Sequence, residues 1–365
     1  MSLTTLGAFG SHCIRGNSGG PAALAFTVSG LTGTYALNAA GYTTSGYDIY
    51  QFTNTAVPTV YTTATGNTNT ANASGTMTVS ATAAFTLYLL IVGAGGGGGS
   101  GDQGGGGGGA GEFVYQTVSL PAGTYSIAIQ VGGGGRAAKY TGSSTPANPA
   151  TGGSNGYGFN GNTSFVTVNG TTYNAIGGGG GCPARRATYE ITSGYVHGGG
   201  AGCQYMSGAC AGGAGKTGLT TGFSGGANGV ISSYGGAGGG AGAAGIGGTG
   251  TYSASNPALP GGTGGAGRKP ANLALTGFAG INRFFCGGGG GSMSTGTGYA
   301  TATLASGGSG VGGTGSMSSN PSTGPWTVIN TDATANTGSG GGGGYMSNPG
   351  GVGANGVVFI ALAAV

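Results

Sequence analysis

The stretch FTLYLLIVGAGGGGGSGDQGGGGGGAG, residues 85–111, decides the fold. It begins as an apolar run, Phe85 to Val92, and passes directly into glycine. Residues 93–99 are glycine but for Ala94, and residues 104–109 are glycine alone. In an extended chain Phe85, Leu87, Leu89 and Ile91 fall on one face, and Thr86, Tyr88, Leu90 and Val92 on the other. Both faces are apolar near the end of the run, which predicts a central strand covered on both sides. The adjoining glycine has no side chain with which to build a core.

Glycine runs return at 132–135, 177–181, 198–200, 225–226, 235–248, 261–267, 287–291, 307–315 and 338–344, some broken by Ala, Ser, Thr or Val. The whole chain has 97 glycines and 12 prolines in 365 residues, close to a low-complexity, disordered composition. A hydrophobic content of 37% is not that of a highly charged, solvated coil. An ordered chain of this kind must pair its backbone N–H and C=O groups in some regular way. Polyglycine can adopt a left-handed, threefold extended helix with polyproline II geometry, about 3.1 Å per residue, which makes no internal hydrogen bonds. Its polar groups point outward, and without Cβ neighbouring helices approach closely enough to pair them all. Glycine loses more entropy on ordering than any other residue, so only a dense network offsets that loss.

Around these runs the sequence reads as strands. Residues 22–28 and 34–37 are short strand candidates divided by turn residues. Residues 47–52 alternate large and polar side chains, and Met77 and Val79 start a further strand. Residues 112–120 and 124–131 form a pair split by Pro121-Ala122-Gly123. Residues 164–168 and 171–176 flank Asn169-Gly170, a type I′ hairpin signal. Residues 356–362 close the chain. No stretch of useful length has helical periodicity, and glycine at about 1 kcal/mol per residue opposes helices. The expected fold is all-β: a β-sandwich (jelly-roll-like) base with an inserted polyglycine II helix bundle and essentially no α-helix. The expected organisation is an N-terminal attachment segment (1–45), the sandwich with the first glycine helices (46–176), the polyglycine II bundle with protruding loops (177–352) and a closing strand (353–365).

The sequence also limits function. Charged residues are 4% of the chain, against roughly 25% in ordinary soluble domains. The net charge of +4 comes from scattered bases, with adjacent pairs only at Arg185–Arg186 and Arg268–Lys269. Nucleic-acid binding requires a concentrated basic stripe, so no nucleic-acid partner is expected. The longest apolar run, 83–92, is shorter than the about 20 residues that span a bilayer, so no membrane insertion is expected. Residues 1–12 carry no charged n-region and no apolar h-region, unlike a secretory signal. A protein released by lysis, as virion parts are, needs none.

Catalytic resemblances lack their context. Gly16-Asn17-Ser18-Gly19-Gly20-Pro21, with His12 nearby, looks like the nucleophile motif of trypsin-like proteases, which require most of a double barrel before that serine. Gly222-Phe223-Ser224-Gly225-Gly226 fits a nucleophile-elbow pattern without its strand-to-helix setting. The five acids (Asp48, Asp102, Glu112, Glu190, Asp332) include no pair close in sequence for acid–base work. No enzyme activity and no cofactor are expected. Cys182, Cys203, Cys210 and Cys286 are candidate disulfide cysteines. With His197 they can be drawn as a zinc site, but the spacing matches no zinc pattern, and no metal is expected.

The segments between glycine runs hold most of the aromatic and basic residues of the second half. Arg185, Arg186, Tyr189 and Tyr195 share one, Tyr205 lies in the next, Arg283, Phe284 and Phe285 share another, and Tyr299 and Trp326 lie in later ones. Tyrosine and tryptophan offer large contact area at low entropy cost. These ten are the candidate receptor-binding loop residues, and capping of the bundle ends is the alternative role for any one of them.

Residues Ser45-Gly46-Tyr47-Asp48-Ile49-Tyr50-Gln51-Phe52-Thr53, followed by Leu89-Leu90-Ile91-Val92-Gly93-Ala94-Gly95, resemble the opening of the glycine-rich domains common in phage tail and appendage proteins. Pro121-Ala122-Gly123-Thr124-Tyr125 with the return through 127–135 is similar to their second strand. Residues 353–360 are similar to their closing strand. The resemblance spans roughly 46–365 and implies a non-enzymatic protein. Some related adhesins at phage fibre tips are polyglycine II sandwiches with receptor-binding loops at one end. A receptor-kinase family has a glycine-rich ectodomain of the same architecture, so fold alone does not settle the biology. Residues 1–45, absent from the fibre-tip pattern, are the expected virion attachment. The expected role is a virion structural protein in a symmetric oligomer: a fibre, spike or decoration component. It would bind other virion proteins through 1–45, and a host surface saccharide or protein through its loops. An ice-binding glycine bundle and a cell-surface glycine-rich receptor domain are the alternatives.

Overall fold

The computed structural model describes residues 26–61, 70–101, 104–139, 156–183, 237, 239–250, 261–292, 304–316, 332–345 and 348–363. Its strands, in chain order, are β1 (Phe26–Ser29), β2 (Tyr35–Leu37), β3 (Tyr47–Thr53), β4 (Val60–Tyr61), β5 (Ala73–Ala81), β6 (Phe85–Val92), β7 (Ser100–Gly101), β8 (Phe113–Leu120), β9 (Gly123–Val131), β10 (Ala137–Ala138), β11 (Ser164–Val168), β12 (Thr171–Ala175), β13 (Gly344–Tyr345) and β14 (Val357–Ala363). There is no α-helix among the described residues, only 3-10 turns at Pro270–Leu273 and Gly308–Gly310. The protein is all-β.

Two five-stranded sheets, ordered β1-β5-β9-β11-β12 and β2-β3-β14-β6-β8, pack face to face, and every pairing within them is antiparallel. The core between them takes Met77, Val79, Ile127, Ile129, Val166 and Val168 from the first sheet. The second sheet contributes Phe52, Leu87, Leu89, Ile91, Val358 and Ile360. The two-faced pattern of residues 85–92 is explained by its place. β6 lies between β14 and β8, and its other face, with Leu90 and Val92, enters a second core.

That second core was not foreseen. The segment 268–286, expected to protrude as a loop, folds back over the outer face of the second sheet. Phe278, Ile281 and Phe285 pack there on Ile49, Val357 and Phe359, all fully buried. The approach is close at Gly277, whose φ is +84°. A Cβ there would lie 3.1 Å from Tyr88 Cβ.

The described part of residues 1–45 packs on the sandwich that follows it. β1 and β2 are edge strands of the two sheets, paired to β5 and β3. Residues 26–37 therefore belong to the sandwich, where Phe26, Val28 and Leu31 pack on its core.

Alternating strand direction brings the ends of β6, β9 and β12 and the starts of β8, β11 and β14 to one end of the sandwich. Glycine continues from each of them. Residues 93–100 run through the middle of the bundle that these segments form. Gly93, Gly96 and Gly99 donate to Glu112, Gly109 and Gly106. Ala94, Gly97 and Ser100 donate to Asn162, Phe159 and Gly156, while Gly95 and Gly98 donate to Ala354 and Gly351. In return, Gly178 and Gly181 donate to the carbonyls of Ala94 and Gly97, Gly341 and Gly344 to those of Gly96 and Gly99, and Gly135 to that of Gly95. The same neighbour recurs every third residue, and six surrounding segments share one strand of glycine. Residues 105–112 repeat the pattern, with Gly105, Gly108 and Gly111 donating to Gly344, Gly341 and Gly338. The first glycine run thus lies inside the bundle made by later runs, with glycine segments from both sides of residue 177 hydrogen-bonded together.

Glycine is required here for space. A Cβ built on Gly96 would overlap the carbonyl oxygen of Gly179, and one on Gly108 that of Gly96. Gly245, at the margin, would place a Cβ 3.6 Å from its nearest neighbour, an ordinary contact. Gly96→Ala is expected to cost about 3 kcal/mol by overpacking, and Gly245→Ala less than about 0.5 kcal/mol, read from denaturant unfolding of the two variants. Phe285→Ala is expected to cost about 3–5 kcal/mol in the same measurement. A loss below about 1 kcal/mol would mean that segment 268–286 is not a packing layer.

Candidate binding surface

Arg185, Arg186, Tyr189, Tyr195, Tyr205, Tyr299 and Trp326, with Cys203 and Cys210, lie outside the described residues. Arg283, Phe284 and Phe285 are placed, and their fates differ. An isolated antiparallel bridge joins Arg268 to Phe285, with each N–H donating to the other's carbonyl at 2.8 Å. Side chains alternate along this short extended piece. Phe285 points inward and is fully buried, its ring 5.8 Å from that of Phe359 in an edge-on arrangement. It is a core residue and not a contact residue, because the second sheet's outer face needs the cover. Phe284 is half-buried and Arg283 exposed.

Each of these two meets a partner absent from the sequence-derived candidates. Lys269, next to the bridge, holds its Nζ 4.6 Å from the centroid of Phe284. The guanidinium of Arg283 lies 4.8 Å from the centroid of Tyr42, and its Nη1 donates to Tyr42 Oη at 3.4 Å. Tyr42 is fixed in turn. Its N–H donates to the carbonyl of Ala39 at 2.9 Å, and its ring sits 5.3 Å from that of Phe359. Gly41, with φ at +79°, passes under the guanidinium; a Cβ there would lie 3.2 Å from Nε and Nη2. The N–H of Gly280 donates to Thr44 Oγ1 at 3.0 Å and ties the segment to the same turn. The result is two separate cation–ring pairs, Arg283 on Tyr42 and Lys269 on Phe284, the first resting on buried Phe359. The Arg268–Lys269 pair was visible in the sequence as a charge doublet. Nothing there connected Tyr42 to Arg283, since 241 residues separate them.

The charges of these two pairs are not neutralised by the described acids. Asp48 accepts from Asn38 at 3.0 Å, Asp332 accepts from the N–H of Val352 at 2.9 Å, and Glu112 is buried where sheet meets glycine, accepting from the N–H of Ile176 at 3.0 Å. Lys269 and Arg283 make no ion pair among the described residues. Such cation–ring contacts stabilise by about 0.5–1 kcal/mol at exposed sites, less than a charge-assisted hydrogen bond, and leave most of the donors available.

The cysteines divide similarly. Cys182 is half-buried, and its carbonyl accepts from Gly106 within the glycine bundle. Cys286 is a free thiol, fully buried. Burial pushes its ionisation well above the usual thiol range, with Glu112 adding to the shift and Arg268 opposing it. A thiol of this kind is a small core side chain and a poor nucleophile. No three of His, Cys, Asp or Glu come together as a metal cluster among the described residues.

No curated protein matches the chain. A family model described as a glycine-rich domain matches residues 69–363, from before β5 to the end of β14. That span takes in the strands that frame the glycine bundle and all of its described segments, and the chain belongs to the glycine-rich domain family.

Proposed function

We propose that the protein is a non-enzymatic virion structural protein of a bacteriophage, a fibre, spike or decoration component. It displays loops for host-surface adhesion or reinforces the particle. The carrying observation is the bonding of residues 93–100 to six neighbouring segments with a three-residue recurrence. In this reading the glycine segments are polyglycine II helices, whose threefold repeat brings every third residue to the same neighbour. A scaffold bonded in this way is stiff without side chains. Recognition is left to the segments between the runs, an arrangement common where a rigid frame presents variable loops. Membership of the glycine-rich domain family supports the glycine-rich part of that resemblance.

Attachment to other virion proteins falls to residues 1–45. Two features support it. β1 and β2 leave one edge of each sheet unpaired among the described strands. On β2, Tyr35 and Leu37 are exposed large apolar side chains. Edges of this kind accept strands from other chains, and a symmetric oligomer repeats the contact around the particle. The protein is made in the host cytoplasm and ends on the outside of the virion, with a host surface saccharide or protein as its external partner.

Electron microscopy of the parent particle, with this chain located by fitting or labelling, tests the role. The expected result is density for the sandwich and bundle on the outer surface of capsid, neck or tail. Recovery of the chain solely as an isolated monomer from cell extract, with none on particles, would overturn it.

A further inference from the structure

We propose that Asn169-Gly170, the two-residue turn between β11 and β12, is a modification site at which asparagine converts spontaneously to isoaspartate and aspartate. The inference concerns the chemistry of the fold itself and is independent of the display role.

The conversion consumes water and no other reactant. The backbone nitrogen of Gly170, on losing its proton, attacks Asn169 Cγ. A new N–Cγ bond closes a five-membered imide, the bond from Cγ to the side-chain nitrogen breaks, and ammonia leaves. Water then opens the ring at one of its two carbonyls. Opening at the backbone carbonyl leaves the chain running through the side-chain carbon, as isoaspartate; opening at Cγ gives aspartate. Glycine in the second position favours the attack because no Cβ crowds the nitrogen.

Three Asn-Gly pairs lie wholly among the described residues, and their settings differ. At Asn160-Gly161 the attacking N–H is buried and donates to the carbonyl of Gly178 at 2.9 Å. Asn160 Oδ1 accepts from the N–H of Gly180 at 2.8 Å. At Asn355-Gly356 the N–H is again buried and donates to Gly132 at 3.0 Å, while the Asn355 amide is held at both ends. At Asn169-Gly170 both residues are exposed, and a Cβ on Gly170 would find nothing within 4 Å. Neither the Asn169 amide nor the Gly170 N–H bonds to a described residue.

The three pairs also differ in what must open. Ring closure takes the chain out of the type I′ turn. That turn lies at the end of the sandwich away from the glycine bundle, since β9 and β12 finish, and β11 starts, at the bundle end. Opening it disturbs the Val168–Thr171 pair and, at most, the 2.9 Å contact between the Thr167 and Thr172 hydroxyls. β12 is an edge strand with one neighbour. Openings of this kind lie at the low end of the range of local stabilities, whereas freeing Gly161 or Gly356 breaks the bundle itself. Isoaspartate adds a carbon to the backbone of a loop whose length sets the register, and either product adds a negative charge. β12 therefore loosens as the protein ages, while the bundle keeps its bonds.

The test holds the full chain in mildly alkaline buffer, natively and in denaturant, and follows its proteolytic peptides by mass spectrometry for replacement of –NH2 by –OH. In the native chain Asn169 is expected to convert at least about tenfold faster than Asn160 or Asn355, and faster as pH rises. In denaturant the three sites should convert at comparable rates. Hydrogen exchange should quicken at Thr171–Ala175 in the aged chain and stay unchanged over residues 93–100. Asn169→Gly leaves a Gly-Gly turn that type I′ geometry accepts, and it should remove both the mass gain and the loosening. The comparison among the three sites needs no variant. No native conversion at Asn169 over the time in which the denatured chain converts would overturn the proposal. So would equal native rates at the three sites, or the same loosening of β12 in aged Asn169→Gly.

Discussion

Everything in this molecule depends on where the backbone finds its hydrogen-bond partners. A buried N–H or C=O left unpaired costs on the order of 1–3 kcal/mol, so a chain with few side chains cannot collapse at random. In the two sheets each strand pairs with at most two neighbours, and side chains fill the space between layers. Beyond Val92 the same chain pairs with six segments around it, and no space is left for a layer of side chains. Where the glycine segments admit side chains these are mostly small, Ser100 and Ser339 among them. Ala94, Ala110, Ala241 and Ala354 lie buried within the glycine segments. The two regimes place opposite demands on sequence, which is why composition changes so abruptly at residue 93.

The junction between the regimes has to be made by side chains that imitate backbone. Ser164 Oγ accepts from the N–H of Gly132 at 3.0 Å, and Asn72 Oδ1 from that of Gly133 at 3.1 Å. Asn355 Oδ1 accepts from that of Gly134 at 2.8 Å. The other end of the Asn355 amide donates to the carbonyls of Asn54 and Ala56 at 2.8 and 2.7 Å. Asn162 bridges Thr70 and Asn72 in the same way, and Glu112 takes up Ile176. Sheet hydrogen bonds run to two sides and bundle bonds to six. These amides, hydroxyls and one carboxylate supply partners where neither pattern is complete.

The strands were legible because period-two alternation and turn chemistry are local. Residues 47–52 alternate and form β3, Asn169-Gly170 joins β11 to β12, and the two-faced run 85–92 is central, as its composition required. Asn169 has φ at +49° and Gly170 at +74°, the positive values that a type I′ turn demands. The position of β14 between β3 and β6 was not legible, since its closing of the sheet depends on pairing across most of the chain. The junction residues escaped for a related reason. An Asn or Ser in a polar chain carries no mark of the carbonyl it will replace. The second core was hidden by composition. Phe278, Ile281 and Phe285 are spaced irregularly within a segment of Arg, Pro, Asn and Gly, so no period betrayed a buried face.

Segment 268–286 therefore corrects a common inference about aromatic loops. Its Phe285 and Phe284 are adjacent, yet one seals the second sheet and the other lies half-open beneath a lysine. Aromatic content in a loop measures first what the loop must bury to hold its own shape. A glycine bundle sharpens that need, since it offers a loop backbone to bond but little apolar surface to pack on. The segment instead crosses to the nearest side-chain core, the outer face of β3, β14 and β6, and anchors there. Alternation along the anchored piece then turns Phe284 away from buried Phe285, while Arg283, exposed, rests on the Tyr42 ring. Display on this scaffold is what burial leaves over, and the cation–ring pairs at Tyr42 and Phe284 are its described remainder.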